Sequence, residues 1–153
     1  NLDDIMTASC SIPFAYRAFP EVAGQPMTDG GLADSIPVQW AYEQGARDIT
    51  VVLSRHQGYR KKPSALTPLI KPWVKDMPAL YDAMVKRTDV YNASLAFIAN
   101  PPADCRITVI APDEHFPVNR LTTNARKLEQ GYQQGHWAGL QALGVEIPSA
   151  SSG

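Results

Sequence analysis

Two short runs rich in β-branched residues, DITVVLS over Asp48–Ser54 and RITVIA over Arg106–Ala111, constrain this chain more than any other feature. Near-continuous Val, Ile and Thr is the pattern of a strand covered on both faces, as in parallel sheets flanked by helices. The stretch ahead of the first run reads as a helix. Ser35 is its candidate N-cap, Pro37 sits in its first turn, and Gly45 ends it. Helix, glycine, then buried strand is the second half of a βαβ unit. Two strands do not make a parallel sheet, which needs several strands and cover on both faces. The chain therefore reads as part of an α/β layer architecture whose remaining strands lie elsewhere.

The other elements follow from periodicity and punctuation. Leu2–Ser9 reads as a short helix that stops before Ile12-Pro13, because the residue ahead of a proline disfavours helical geometry. Residues 10–34 are rich in Pro and Gly and read as a long loop with brief extended pieces, a type of segment that is often functional. Residues 55–76 carry Arg55, Arg60, Lys61, Lys62, Lys71 and Lys75 among prolines, a solvated excursion with one short helix. From Met77 to Ile98 the spacing is helical, with Leu80, Met84, Tyr91, Leu95 and Ile98 on one stripe. Arg87 falls within that stripe, and a partly buried arginine requires a partner that the sequence does not name. A last helix begins near Thr122 or Thr123 and runs to Leu143, stopped by Gly144. Its expected inner face is Leu121, Ala125, Leu128, Tyr132 and Leu143. Residues 1–145 are expected to form one structural body, with 146–153 a frayed Ser/Ala-rich tail.

Composition narrows the function. Lys+Arg number 14 and Asp+Glu 15, so the net charge of −1 gives no electrostatic case for nucleic acid. His56, His115 and His136 lack ligand spacing, and Cys10 and Cys105 form no CxxC. No metal or cofactor is expected, and two reduced thiols suit a cytoplasmic protein. No apolar run is long enough for a membrane span. Lys61 and Lys62 with Arg55 and Arg60 read first as solvated charge, and second as contacts for lipid headgroup phosphates at a membrane periphery. Trp40, Trp73 and Trp137 read as packing residues.

Chemistry concentrates in MTDGGLADSIPV, Met27–Val38. Asp29 stands before Gly30 and Gly31, which permit positive φ and close approach. Asp-Gly is also the commonest hairpin turn, which is the plain structural alternative. Asp34 lacks such a glycine pair and reads as a cap or approach to the Pro37 helix. Ser9 and Ser11 are not on a strand-to-helix elbow, and their hydroxyls are expected to satisfy backbone. None of the serines lies in GxSxG.

Asp29-Gly30-Gly31, Ile36-Pro37-Val38 opening a helix, and the Gly45-Ala46-Arg47-Asp48 turn into a strand together resemble the patatin-like phospholipase family. Ala8-Ser9-Cys10-Ser11-Ile12-Pro13-Phe14 resembles the segment that packs beside the catalytic dyad there. VVLSRHQGYRKK, Arg87 with Tyr91-Asn92, and ITVIAP look like the family's bacterial branch. The resemblance covers roughly residues 5–140, and only the C-terminal half of that family's catalytic domain. It implies a three-layer sandwich with a mostly parallel sheet, of which this chain is the C-terminal portion. It also implies that Asp29 pairs with a GxSxG serine outside this chain, with Gly30, Gly31, Ser9 and Pro13 as active-site support. Asp34-Ser35 departs from the asparagine that many members carry before the proline, which puts an amide role there in doubt. The parent would be a serine acylhydrolase of lipid or carboxylic esters, using no cofactor and partnered by the missing N-terminal half, and this chain alone would be inactive. The alternative is a non-catalytic module that binds protein or lipid, or dimerises through its sheet edge.

Overall fold

A computed structural model describes residues 2–12, 19–65, 67–119 and 121–145; Pro13 and the 146–153 tail lie outside the described residues. The chain is mixed α/β, with one antiparallel and one parallel strand pair. Its contacts group into two compact units, Asn1–Pro37 with Lys61–Ala96, and Val38–Arg60 with Phe97–Gly153.

In the first unit, helix α1 (Leu2–Ser9) carries Asp3 and Asp4 in its first turn, where carboxylates complement the helix dipole. It buries Ala8 and leaves Leu2, Ile5 and Met6 exposed. Ser11, just past its end, is buried and donates its hydroxyl to the Thr7 carbonyl at 2.6 Å. A small hairpin follows, β1 (Glu21–Val22) against β2 (Gln25–Pro26). Its turn residues Ala23 and Gly24 both take left-handed geometry, at φ 52° and 75°, as tight hairpins favour. A 3-10 turn spans Gly30–Leu32, and a longer 3-10 segment, Thr67–Val74, buries Val74. Helix α3 (Pro78–Ala99) follows the expected stripe: Leu95 is buried and Leu80, Met84, Tyr91 and Ile98 are half-buried. On this helix Asn92 clamps Lys61, accepting from its N–H at 2.9 Å and donating to its carbonyl at 3.0 Å.

In the second unit, helix α2 (Val38–Glu43) leads through Gly45, at φ 99°, into β3 (Asp48–Val52). β3 pairs in parallel with β4 (Arg106–Ile110), from Asp48 opposite Arg106 to Val52 opposite Ile110. At the start of the pair Arg106 and Asp48 form an ion pair. Asp104 accepts from Arg47 Nε at 2.8 Å and from the Tyr42 hydroxyl at 3.0 Å. The strands are less covered than their composition predicts. Val51 and Leu53 are buried, yet Val52 is 73% exposed and most of β4 is only half-buried. A two-stranded pair has two outer edges, and helix α4 (Ala125–Ala142) packs on β4.

That helix corrects the sequence reading. It starts one residue past its cap Asn124, whose side chain accepts from the Lys127 N–H at 3.1 Å. Leu121, Ala125, Leu128, Tyr132 and Leu143 are exposed, not inward-facing. The buried position is Gly131, where an added Cβ would lie 2.5 Å from Val118 Cγ2. The helix meets its neighbour through a glycine, and the larger apolar side chains are left on the outside. Cys10 is exposed and Cys105 buried, both as free thiols.

Candidate active site

The loop that carries Asp29 is tied to the end of α1 by one carbonyl. The Ser11 oxygen accepts the Asp29 N–H at 3.0 Å and the Thr28 hydroxyl at 2.7 Å. From there the chain turns into the 3-10 segment with Asp29 as its cap. Asp29 Oδ1 accepts the Gly31 N–H at 2.7 Å, and its backbone carbonyl accepts the Leu32 N–H at 3.1 Å. The side chain is half-buried, and among the described residues Oδ2 has no hydrogen-bond partner. A carboxylate held by one oxygen and open at the other is oriented yet able to accept a proton.

Gly31 is the hub of this arrangement. Its carbonyl accepts the Ser35 hydroxyl at 2.6 Å and Arg87 Nε at 2.9 Å, while its N–H holds Asp29. Arg87 projects from α3, so the partner that its place in the apolar stripe required is this glycine. Neither Gly30 nor Gly31 adopts positive φ, contrary to the conformational reason first read into the pair. The requirement at Gly31 is space: a Cβ there would sit 3.0 Å from Asp29 Oδ1. At Gly30 a Cβ would meet nothing within 4 Å, which leaves the exposed side of the turn open to an approaching group. The hairpin alternative for Asp-Gly is not realised, since the hairpin of this region is Glu21–Pro26.

The other candidates take lesser places. Ser9 lies exposed in the last turn of α1. The Ser11 hydroxyl is engaged by backbone, as expected for a hydroxyl near a chain turn. Asp34 Oδ1 accepts the Ile36 N–H at 3.1 Å, a local turn ahead of α2. Ser35 does not cap α2 as expected: the helix begins only at Val38, and the Ser35 hydroxyl donates to the Gly31 carbonyl. Among the described residues no group of three or more His, Cys, Asp or Glu is placed to hold a metal ion. No described helix is long and apolar enough to cross a membrane.

Beside this turn the first unit holds a cleft of about 410 Å³, lined by Leu32, Lys61, Lys62, Tyr81, Met84 and Arg87 among others. The four basic residues grouped in the sequence are thus divided. Lys61 and Lys62 meet Arg87 here, whereas Arg55 lies over the Tyr59 ring in the second unit and Arg60 donates to the Gln57 and Tyr59 carbonyls. In the second unit a cleft of about 530 Å³ opens at the carboxyl ends of β3 and β4, lined by Leu53, Ser54, Asp113, Phe116 and Trp137 among others.

Comparison with known proteins gives a family match over residues 77–144, to a domain of unknown function, DUF6363. The chain is also similar to the uncharacterized protein YjjU of Escherichia coli (strain K12), 29% identical over 148 residues. That alignment takes in 92% of this chain and 40% of the relative, so the chain spans well under half the length of the protein it resembles. No solved structure matches it.

Proposed function

We propose that this chain is the aspartate-bearing portion of a patatin-like serine acylhydrolase, the C-terminal part of a three-layer α/β domain acting on lipid or carboxylic esters. The observation that carries this reading is the Asp29 carboxylate, fixed through Oδ1 by the Gly31 N–H and open at Oδ2. In this scheme a serine from the rest of the catalytic domain attacks the ester carbonyl, and its proton passes to Asp29 Oδ2. Asp29 then gives that proton to the leaving alkoxide oxygen as the ester C–O bond breaks, so an alcohol departs and leaves an acyl-enzyme, which water hydrolyses by the same route. A carboxylate is a weak base for an alcohol. Most of the rate must therefore come from oxyanion stabilisation supplied outside this chain.

The exposed face of Val52 and the two outer edges of the β3–β4 pair support the half-domain part of the proposal. They equally favour a second reading, a non-catalytic module that covers this sheet with a partner protein or a second copy. A fluorophosphonate probe separates the two. Labelling of the full-length parent at a serine outside this sequence, weakened by Asp29→Asn, is the expected result. Full labelling and full ester turnover in Asp29→Asn would sink the dyad assignment.

A further inference from the structure

We infer that Arg87 is a positioning residue for the Asp29 carboxylate: from helix α3 it braces the Gly31 carbonyl, and so steadies the N–H that orients Asp29 Oδ1. The inference rests on the acylhydrolase reading for its consequence in turnover, whereas the brace itself stands on the geometry of the turn.

The need for a brace begins with space. A Cβ at residue 31 would sit 3.0 Å from Asp29 Oδ1, so the position takes glycine. Glycine is also the residue whose backbone has the most freedom to lose. The N–H that grips Oδ1 at 2.7 Å thus belongs to a residue that does little to fix its own orientation. The 3-10 turn around it, Gly30–Leu32, is three residues long, and 3-10 hydrogen bonds are poorly aligned. Stiffness has to be brought in from elsewhere.

It arrives at the carbonyl of the same residue. Two donors meet there, the Ser35 hydroxyl at 2.6 Å and Arg87 Nε at 2.9 Å, enough to occupy both lone pairs of the oxygen. The donors differ in kind. Ser35 is four residues on and moves with the turn. Arg87 stands on a 22-residue helix, 56 residues away in the chain, and ties the turn to a frame formed independently of it. A guanidinium N–H to a carbonyl is charge-assisted, roughly twice as strong as a neutral pair, and Arg87 is half-buried, where water competes less for it. An arginine in the apolar stripe of α3 is suited to this task, since its stem can lie along apolar surface while its head reaches a polar group. Helix α3 opens the stretch that matches the domain of unknown function, which thereby contributes to a site whose aspartate lies outside it.

The test has a structural arm and a kinetic arm. In NMR spectra of this chain the Gly31 amide proton should lie downfield and exchange slowly, as an N–H held by a carboxylate does. The Arg87 Nε–H should be protected from exchange, unlike those of the exposed Arg55 and Arg60. Arg87→Met should move the Gly31 proton upfield and speed its exchange by about tenfold, with α3 amides such as Leu95 unmoved. Arg87→Lys, which keeps a cationic donor, should recover most of the difference. Lys86→Gln, one residue away and exposed, should change neither signal. An Arg87 Nε–H that exchanges as freely as its exposed counterparts would overturn the brace without any substitution. A Gly31 proton indifferent to Arg87→Met, or equally sensitive to Lys86→Gln, would do the same.

In the full-length parent, Arg87→Met should lower kcat by about tenfold and leave KM nearly unchanged. Added to Asp29→Asn it should cost nothing further, since its whole effect passes through that carboxylate. A KM rise without a kcat loss, or an equal kcat loss in both backgrounds, would show that Arg87 serves binding or folding instead. Failure of the parent reading is seen separately. If Asp29→Asn keeps full turnover the dyad falls, and the amide signals still decide whether Arg87 braces Gly31.

Discussion

At the scale of single residues, Gly30 and Gly31 look alike in sequence and are predicted to behave differently. Gly31→Ala puts a methyl 3.0 Å from Asp29 Oδ1, so the carboxylate must move to accommodate it. Under the proposed function, ester turnover of the full-length parent should then fall by about tenfold or more, since small misplacements of a reacting group are costly. Gly30→Ala meets nothing within 4 Å and should leave thermal stability within about 1 kcal/mol of the starting protein. Equal activity losses in the two variants would show that the space beside Asp29 Oδ1 is not what matters. Asp29 was singled out beside its glycines, but the same pair also spelled a hairpin turn, and only the structure shows that it caps a 3-10 turn instead. The reason for Gly31 was not, since it depends on where one carboxylate oxygen points. Arg87 was half legible: an arginine in an apolar stripe announces a partner, but the Gly31 carbonyl lies 56 residues away in the chain.

Among the elements, helix α4 shows what periodicity alone misses. Strong spacing located α3 to within a residue or so, Met77–Ile98 expected against Pro78–Ala99 observed. On α4 the large apolar residues suggested the wrong inner face, because close helix packing at Gly131 leaves no hydrophobic signature. The hairpin Glu21–Pro26 was seen only as brief extended pieces, since two-residue strands around Ala-Gly carry neither alternation nor an Asn-Gly signal. Gly131→Ala, with its Cβ 2.5 Å from Val118 Cγ2, should destabilise the chain by about 1–3 kcal/mol. Gly135→Ala and Gly139→Ala face open space and should each stabilise by about 0.5–1 kcal/mol in chemical denaturation. The opposite order would mean that α4 does not pack through Gly131. At the start of the parallel pair, the Arg106 hydrogen bond holds the Asp48 carboxyl below its usual range. The Tyr42 hydroxyl, followed by the Arg47 guanidinium, does the same for Asp104. A carboxylate with a lowered folded pKa adds stability above its unfolded value, and loses it as pH falls through the folded one. The melting temperature should therefore drop below about pH 4, and drop less in the Asp48→Asn, Asp104→Asn double variant. Both groups are exposed, so the difference should be small and should shrink in high salt. Identical pH curves for the two proteins would remove these pairs from the acid response.

For the whole molecule, the amount of apolar surface left outside is the governing fact. Val52 is 73% exposed at the end of β3, Leu2 is 71% exposed on α1, and Trp137 on α4 is 41% exposed. Parallel strands are ordinarily covered on both faces, and an open edge offers unpaired N–H and C=O groups to any neighbouring strand. The β-branched runs Asp48–Ser54 and Arg106–Ala111 thus still call for more sheet than two strands provide. The demand is chemical and does not specify who meets it, which is why the sequence raises the expectation of a shared sheet without naming a sharer. Under the proposed function the sharer is the serine-bearing part of the same protein. This chain on its own should then self-associate as its concentration rises, in sedimentation velocity, and Val52→Lys should shift it toward monomer by placing a charge on the bare face. Co-expression with the remaining portion of the parent should give a one-to-one complex that no longer self-associates and that reacts with a fluorophosphonate. A chain that stays monomeric at every concentration and unfolds in one cooperative step would mean that two strands suffice here. The half-sheet argument would then fall, while the geometry of Asp29, Gly31 and Arg87 would still call for an explanation of its own.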